Sequence, residues 1–358
     1  MSRQSRSQKD PAEAGASAPA TQVAPVRLAV FGSGYGSYVT APAFQRIPGV
    51  EIVALCSPHA DRRNAAAARL GIPRVAASWA ELNDVALDAV AIAVPPHQQP
   101  GIVERAIERK LSIFGEKPLA ADLASAERIA ERAAAAGIIT AIDVIFPETR
   151  AFAEARKLLS AGMIGELQHV LVQWHFESYD NVHQKAGWKT DRDAGGGAMA
   201  HFGSHLLYNL KFLCGPISKA DIVCTAPHRY ARPAETLAGG QLRFASGAVG
   251  QFSLCNAAFG EQRHQIAMHG TDGVLTLRNL SGNPVAFSLD LARRGQPVAD
   301  MILRSDGVPL TEEDPRISAT ANIASRFVDA IRSGGQVTPS FSDALYVQRL
   351  MSLAHQLD

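Results

Sequence analysis

Cysteine is scarce in this chain, and long apolar runs are missing. Its four cysteines, Cys56, Cys214, Cys224 and Cys255, stand far apart without a C-x-x-C pair, so free thiols in a reducing compartment are the simplest account. No run approaches the roughly 18 apolar residues needed to span a bilayer. The N-terminus also lacks the apolar stretch of a secretory signal, and a cytoplasmic protein without a membrane partner is expected. An excess of one charge is absent too. A formal net charge of +1 leaves nothing to neutralise phosphates in bulk, which argues against nucleic acid as a partner. What is present is ordinary for a soluble globular protein: 47% apolar and 19% charged residues in a chain of 358, enough for about two domains with their own cores.

Residues 1–25 are rich in Ser, Ala, Gln and Pro, show no hydrophobic period, and read as a disordered tail. From 26 to 146, short apolar runs alternate with helical segments: Arg27–Phe31, Val50–Cys56, Ala89–Val94, Leu111–Phe114 and Ile138–Ile142. Between the last two, Leu123, Ala126, Ile129, Ala130 and Ala133 recur at helical spacing. Strands alternating with helices imply a parallel sheet, because each right-handed crossover lays a helix on its face. The pattern changes over 147–358. Val170, Val172, Trp174 and Phe176 follow a two-residue period. A helix over Ala198–Leu213 stops at Gly215-Pro216, and short-loop hairpins follow at Ala245–Gly247 and Gly270–Gly273. Two helical segments, about Ile317–Arg332 and Asp343–Gln356, close the chain. The fold class is α/β: a doubly wound parallel sheet of Rossmann type, then an α+β domain with a large, open, mainly antiparallel sheet.

The first strand runs directly into Gly32-Ser33-Gly34-Tyr35-Gly36-Ser37. Gly32 permits the tight turn, Gly34 lets the backbone approach a pyrophosphate, and a small residue, Ser37, takes the third position of G-x-G-x-x-G with Gly36 one residue early. An NAD-specific site would carry Asp or Glu at the end of the second strand. Ser57 stands there instead and leaves room for a 2′-phosphate, which Arg62 or Arg63 could oppose unless both are solvated helix residues. NADP(H) is therefore expected over NAD(H).

A second candidate centre is Phe114-Gly115-Glu116-Lys117-Pro118-Leu119. Lys117 falls at the carboxyl end of a strand, where open α/β sheets bind ligands, and Pro118 biases it to an extended conformation. Taken with Ala93-Val-Pro-Pro-His97, Gly187-Trp188-Lys189-Thr190-Asp191, Gly195-Gly196-Gly197, Gly203-Ser204-His205 and Gly270-Thr271-Asp272-Gly273, the chain from Val26 onward resembles the glucose-fructose oxidoreductase/inositol dehydrogenase family, written Gfo/Idh/MocA. The resemblance implies a nicotinamide-dependent oxidoreductase acting on sugars, polyols or related cyclic alcohols and ketones. It also implies a homodimer or homotetramer formed through the antiparallel sheet, and C-terminal helices packed back on the first domain. Cofactor contacts would come from the Gly32–Ser37 loop, Ser57, Arg62, Pro95, Pro96, His97, Glu116 and Lys117. Trp188, Lys189 and Asp191 would stand on the substrate side with His201 and His205. Asp191 and Asp193 either bind hydroxyls or cap the following turn.

The resemblance maps the family lysine on Lys117 and its catalytic histidine on His205. Four residues earlier the family usually carries Asp, and here stands His201. His201 and His205 share a face if helical, but no third ligand and no H-E-x-x-H appear, so no metal is expected. Lys117 starts near a pKa of ~10.4, and a working value of about 7.5 requires roughly 4 kcal/mol of differential interaction. A surface neighbour supplies about 1 kcal/mol or less, so only burial plus a positive nicotinamide would suffice. His205 starts near ~6.5 and needs almost no tuning. The sequence thus favours His205 as the proton carrier and Lys117 as the charged donor that polarises the substrate oxygen, with the reverse assignment open. Two other functions share the fold: a cofactor-binding regulator without turnover, and a glycosidase that uses retained NAD⁺ for transient oxidation.

Overall fold

Strand–helix alternation in the first part of the chain produces a six-stranded sheet, here described from a computed structural model covering residues 24–226, 233–296, 300–304 and 313–356. The N-terminal tail expected over 1–25 lies outside these residues except for its last two. In chain order the elements are β1 (Val26–Phe31), a π-helical turn (Gly36–Thr40) continuing into α1 (Ala41–Gln45), β2 (Val50–Cys56), α2 (Ala60–Leu70) and β3 (Arg74–Ala76). They continue with β4 (Ala89–Ile92), α3 (Gln99–Glu108), β5 (Ser112–Gly115), α4 (Leu123–Ala135) and β6 (Thr140–Ile142). All neighbours are parallel, in the order β3-β2-β1-β4-β5-β6. The order reverses between β1 and β4, so the carboxyl ends of those strands open a crevice there. The short β3 was not anticipated, since three residues are too few to show a period.

The expected stripe of α4 is real: Ala126, Ile129, Ala130 and Ala133 are buried, and the Asp122 carboxylate caps the helix by accepting the Ser125 amide at 2.8 Å.

The rest of the chain opens with α5 (Arg150–Ser160), β7 (Leu167–Glu177) and the single turn α6 (Tyr179–Val182). A second π-helical turn (Met199–Gly203) leads into α7 (Ser204–Cys214). The strands β8 (Ile217–Thr225), β9 (Leu237–Phe244), β10 (Val249–Cys255), β11 (Ala257–Gly270), β12 (Gly273–Asn279), β13 (Ser288–Arg293) and β14 (Asp300–Leu303) follow. The chain ends with α8 (Arg316–Ser333), α9 (Phe341–Met351) and β15 (Ala354–Gln356). The second sheet runs β14-β13-β12-β11-β7-β10-β9-β8-β15. It is mostly antiparallel, with parallel contacts at β7/β10 and β8/β15. Its inner face buries Val170, Val172, Trp174, Leu254, Ile266 and Leu277.

Helix α8 belongs in sequence to the second half but docks on the first sheet. Ile323, Ala324, Phe327 and Val328 recur at helical spacing and are fully buried. Phe327 meets Phe114 of β5 and Phe44 of α1 edge-on, at centroid distances of 5.8 and 6.3 Å, an arrangement that suits the ring quadrupoles. This docking brings the residues at the start of α8 to the mouth of the crevice. No helix among the described residues is long and apolar enough to cross a membrane. The four cysteines are unpaired, and burial pushes the thiols of Cys56, Cys214 and Cys224 up to about 12.

Candidate active site

The carboxyl ends of the first sheet and the inner edge of the second enclose a cleft of about 1520 Å³. At one end lies the loop after β1. Gly32 sits at φ +118°, and a Cβ there would lie 2.1 Å from the Ala93 carbonyl oxygen, so only glycine fits. A Cβ on Gly34 would meet nothing within 4 Å, leaving bare backbone toward the cleft that Gly34 lines. Ser37 is wholly buried, and its hydroxyl donates to the Ser33 and Gly34 carbonyls at 3.0 Å each, fastening the loop to the helix behind it. Gly36 packs tightly against Val30 and Ala93. This is the cradle a dinucleotide's phosphates require: open backbone at Gly34 on a loop held rigid from behind.

At the end of β2, the Ser57 hydroxyl pairs with that of Ser33 at 2.9 Å. Arg62 lines the cleft beside it, whereas Arg63 donates to the Ser57 carbonyl at 2.5 Å and so serves the fold. Pro95 and Pro96 form part of the wall. His97 does not line the cleft: its Nδ1 lies 3.1 Å from the Ala194 carbonyl and ties the loop after β4 to the Gly-rich turn. The cofactor contact expected at His97 finds no support in the cleft lining; the ring is exposed, with Nε2 3.2 Å from Nε2 of Gln98, which does line the cleft.

Lys117 follows β5. Its loop is clamped by a buried amide that the sequence did not reveal. Gln99 Nε2 donates to the carbonyls of Glu116, Pro118 and Leu119 at 2.8, 3.2 and 2.8 Å, and Gln99 Oε1 accepts the Glu116 amide at 3.0 Å. So held, Lys117 reaches the second domain, where Nζ donates to the His201 carbonyl at 3.0 Å. Burial lowers its pKa, and Arg316 and Lys189 push the same way, against the raising effect of Glu116 and Asp143.

Behind the lysine lies a carboxyl pair. Asp143, just past β6, accepts from Tyr35 Oη at 3.3 Å and from Thr320 Oγ1 at 3.0 and 3.2 Å. It also shares a hydrogen bond with Glu116, whose pKa is driven well up, first by burial and then by the Asp143 charge. Burial raises both carboxyl pKa values, Glu116 the more strongly because the Asp143 charge adds to it and its Oε1 is buried without a partner, whereas the hydrogen bonds from Thr320 and Tyr35 work against the rise at Asp143.

The histidines come from the second π-helical turn and from α7. π-Helical turns are uncommon and frequently mark functional sites. Glycine is required just before this one: at Gly197, with φ +112°, a Cβ would lie 2.2 Å from the Glu235 carboxylate, which accepts the Met199 amide at 2.9 Å. His201 contacts Trp188 and Phe202 at centroid distances of 5.5 and 4.7 Å. The buried His205 ring stands edge-on to Phe146 at 5.0 Å, and its Nδ1 finds no hydrogen-bond partner among the described residues. Burial pushes both imidazoles well below their ordinary pKa, and the Lys117 charge adds to it. The expectation that His205 needs little tuning is thereby corrected: desolvation has tuned it downward, and both rings are neutral near pH 7.

Trp188, Lys189, His201 and His205 line the cleft together. Asp191 does not; its carboxylate accepts the Asp193 amide at 3.0 Å, so of its two expected roles the structure supports turn capping. The sequence reading missed Gln99, Asp143, Trp174, His264 and Arg316. Asp143 follows a strand of the parallel sheet, so its position at a carboxyl end was a usable signal. Arg316, whose guanidinium lies 5.0 Å from the Tyr35 ring centroid, arrives only through the docking of α8. Among the described residues no cluster of three or more His, Cys, Asp or Glu could hold a metal ion.

Two family models match the chain: an oxidoreductase family with an NAD-binding Rossmann fold over residues 26–144, and a GFO/IDH/MocA C-terminal domain over residues 152–276. Levoglucosan dehydrogenase of Pseudarthrobacter phenanthrenivorans is 25% identical, over 87% of this chain and 89% of its own. A dTDP-3,4-didehydro-2,6-dideoxy-alpha-D-glucose 3-reductase of Streptomyces violaceoruber is 27% identical, over 82% of each chain. A solved levoglucosan dehydrogenase in complex with NADH superposes with a TM-score of 0.82 at 20% identity, covering 92% of this chain and 95% of that one. This last likeness carries the fold.

Another buried histidine gives a test of the burial argument. His264 of β11 stacks on Trp174 at 3.9 Å and 7°, and burial alone lowers its pKa to about 3. Unfolded it titrates near ~6.5, so below that pH the unfolded chain binds a proton that the native state refuses. Stability should fall with acidification from ~6.5 toward 3, at up to about 1.4 kcal/mol per pH unit from this group. Urea titrations of His264→Phe should lose about 1–2 kcal/mol less than the wild type between pH 6.5 and 5; equal losses would refute the assignment.

Proposed function

The chain belongs to the Gfo/Idh/MocA family of oxidoreductases with an NAD-binding Rossmann fold, and from that premise we propose that it interconverts a secondary alcohol and a ketone on a sugar, polyol or related cyclic substrate. The observation that carries this reading is one cleft lined by both the Gly32–Tyr35 loop and the Lys117, His201 and His205 cluster. A bound nicotinamide supplies the hydride acceptor or donor. Everything else falls to the side chains.

Proton movement follows from charge. Were His205 to take the substrate hydroxyl proton, an imidazolium would form in a buried site already facing the Lys117 cation. A neutral Lys117 taking the same proton becomes an ammonium beside the Asp143 carboxylate, and that charge is compensated. In the reductive direction the donor must start protonated; at neutral pH that is Lys117 and not His205. We therefore assign proton transfer to Lys117, the reverse of the sequence preference. His205 would hydrogen-bond the substrate oxygen as a neutral imidazole, orienting it. The kcat/KM for alcohol oxidation should rise with pH through a group below the ordinary lysine range. His205→Asn should keep that limb. Lys117→Met should lose it, with kcat down about 10²–10⁴-fold. A limb that survives in Lys117→Met and vanishes in His205→Asn would return the proton to His205.

For the cofactor, Ser57 in place of a carboxylate and Arg62 on the cleft wall support NADP(H) over NAD(H). The kcat/KM should favour NADP(H) about 10-fold or more, and Arg62→Ala should erase most of that, as loss of a charge-assisted contact of about 1.5–3 kcal/mol implies. Equal or better use of NAD(H) by the wild type would contradict it. The outer face of the nine-stranded sheet exposes Leu171, Leu237 and Val249, which supports a homodimer or homotetramer through that face. Light scattering showing only monomer at micromolar concentration would remove this part of the proposal.

A further inference from the structure

Beyond His201 the cleft continues into a second cavity of about 400 Å³, set over the inner edge of the nine-stranded sheet and away from the phosphate loop. The two cavities share Phe146, Trp174, Lys189, His201, Phe202 and Arg316, so whatever reacts beside Lys117 and His205 can extend into the second space. Nothing in the proton and hydride chemistry requires it. Its size falls in the range of small-molecule sites.

The lining has two characters. Trp174, Phe176 and Phe202 form an aromatic wall, with ring centroids 4.7–6.2 Å apart. The same cavity is lined by polar groups, among them Asn256, Gln262 and Asp180. His264 also lines the cavity, buried to 4% exposure, and its Nε2 has no hydrogen-bond partner among the described residues. A buried polar atom without a partner costs about 1–3 kcal/mol, a cost that a ligand hydroxyl would remove. Aromatic rings, amide groups and the edge of the His264 imidazole gathered around one cavity suit a pyranose ring, which presents C–H faces and an equatorial belt of hydroxyls.

Charge narrows the class. Lys189 pairs with Asp180 at 3.1 Å, and Arg316 with Asp314 at 2.6 Å. Glu177 and Glu235 add further carboxyl groups to the lining. The two cations thus have carboxylate partners already, and a nucleoside diphosphate would bring its negative charge against these acids.

We propose that this second cavity is a subsite for an additional, non-reacting sugar ring, which makes the substrate a neutral glycoside or oligosaccharide in preference to a free monosaccharide or a nucleotide sugar. The proposal rests on the oxidoreductase reading above. Matched pairs test it on the full-length protein: D-glucose against cellobiose, D-galactose against lactose, and UDP-glucose as a third arm, each with NADP⁺ and NAD⁺. In at least one pair the two-ring member should have a kcat/KM at least about tenfold higher, a difference within reach of one aromatic-walled subsite. Gln262→Ala, at the exposed rim, and Phe176→Ala, in the wall, should each bring the ratio of disaccharide to monosaccharide toward one. Monosaccharides used as well as or better than disaccharides, a preference for UDP-glucose, or a ratio unmoved by both variants would overturn the subsite and leave the oxidoreductase reading standing. No turnover of any carbohydrate would overturn both.

Discussion

Lys117 carries an ammonium group into a buried corner of the cleft, and the surrounding residues are arranged about that charge. A buried cation is tolerated only when countercharge and hydrogen bonds make up for its lost hydration. Here the countercharge comes from the carboxyl pair Glu116 and Asp143: burial raises both pKa values, Glu116 the more, while hydrogen bonds from Tyr35 and Thr320 favour the charge on Asp143. The partners come from distant parts of the chain: the phosphate loop, the ends of β5 and β6, and α8. The fold therefore has to be complete before the charge is balanced, and the docking of α8 through Phe327 is part of the site as much as of the core.

The same charge explains the histidines. With the Lys117 ammonium near the buried His201 and His205, protonating either ring would put two positive charges in one pocket. His201 stands where the resemblance led us to expect an Asp. An acid there would have drawn the proton toward His205; a neutral imidazole cannot. On the proposed assignment, the departure at position 201 leaves acid–base function to the lysine, with the carboxyl pair of Glu116 and Asp143 behind it.

Much of this was legible in the sequence, and the misses share a cause. The order of strands and helices, the Gly32–Ser37 loop and the position of Lys117 follow from local pattern: period, turn residues and position at strand ends; His201 and His205 were singled out by the resemblance. β11 extends over Ala257–Gly270, although only the Gly270–Gly273 turn at its end was marked in the sequence, because its first half lacks alternation. Gln99, Arg316 and His264 could not be placed, since each acquires its role from residues far away in the chain. Burial was the deeper omission. A reference pKa made His205 the natural proton carrier, and only its packing against Phe146 and its orphaned Nδ1 show how far desolvation has moved it.

The central claim is that Lys117 holds the mobile proton while His205 stays neutral. Its most direct test is a heteronuclear NMR titration of the resting protein, following the lysine ε-carbons and the histidine ring signals, with Lys117→Met and His205→Asn spectra for assignment. The account predicts a Lys117 midpoint below the ordinary lysine value of ~10.4 and a His205 ring still neutral below its ordinary ~6.5. A Lys117 midpoint at or above the ordinary value, together with a His205 that protonates near ~6.5, would contradict it.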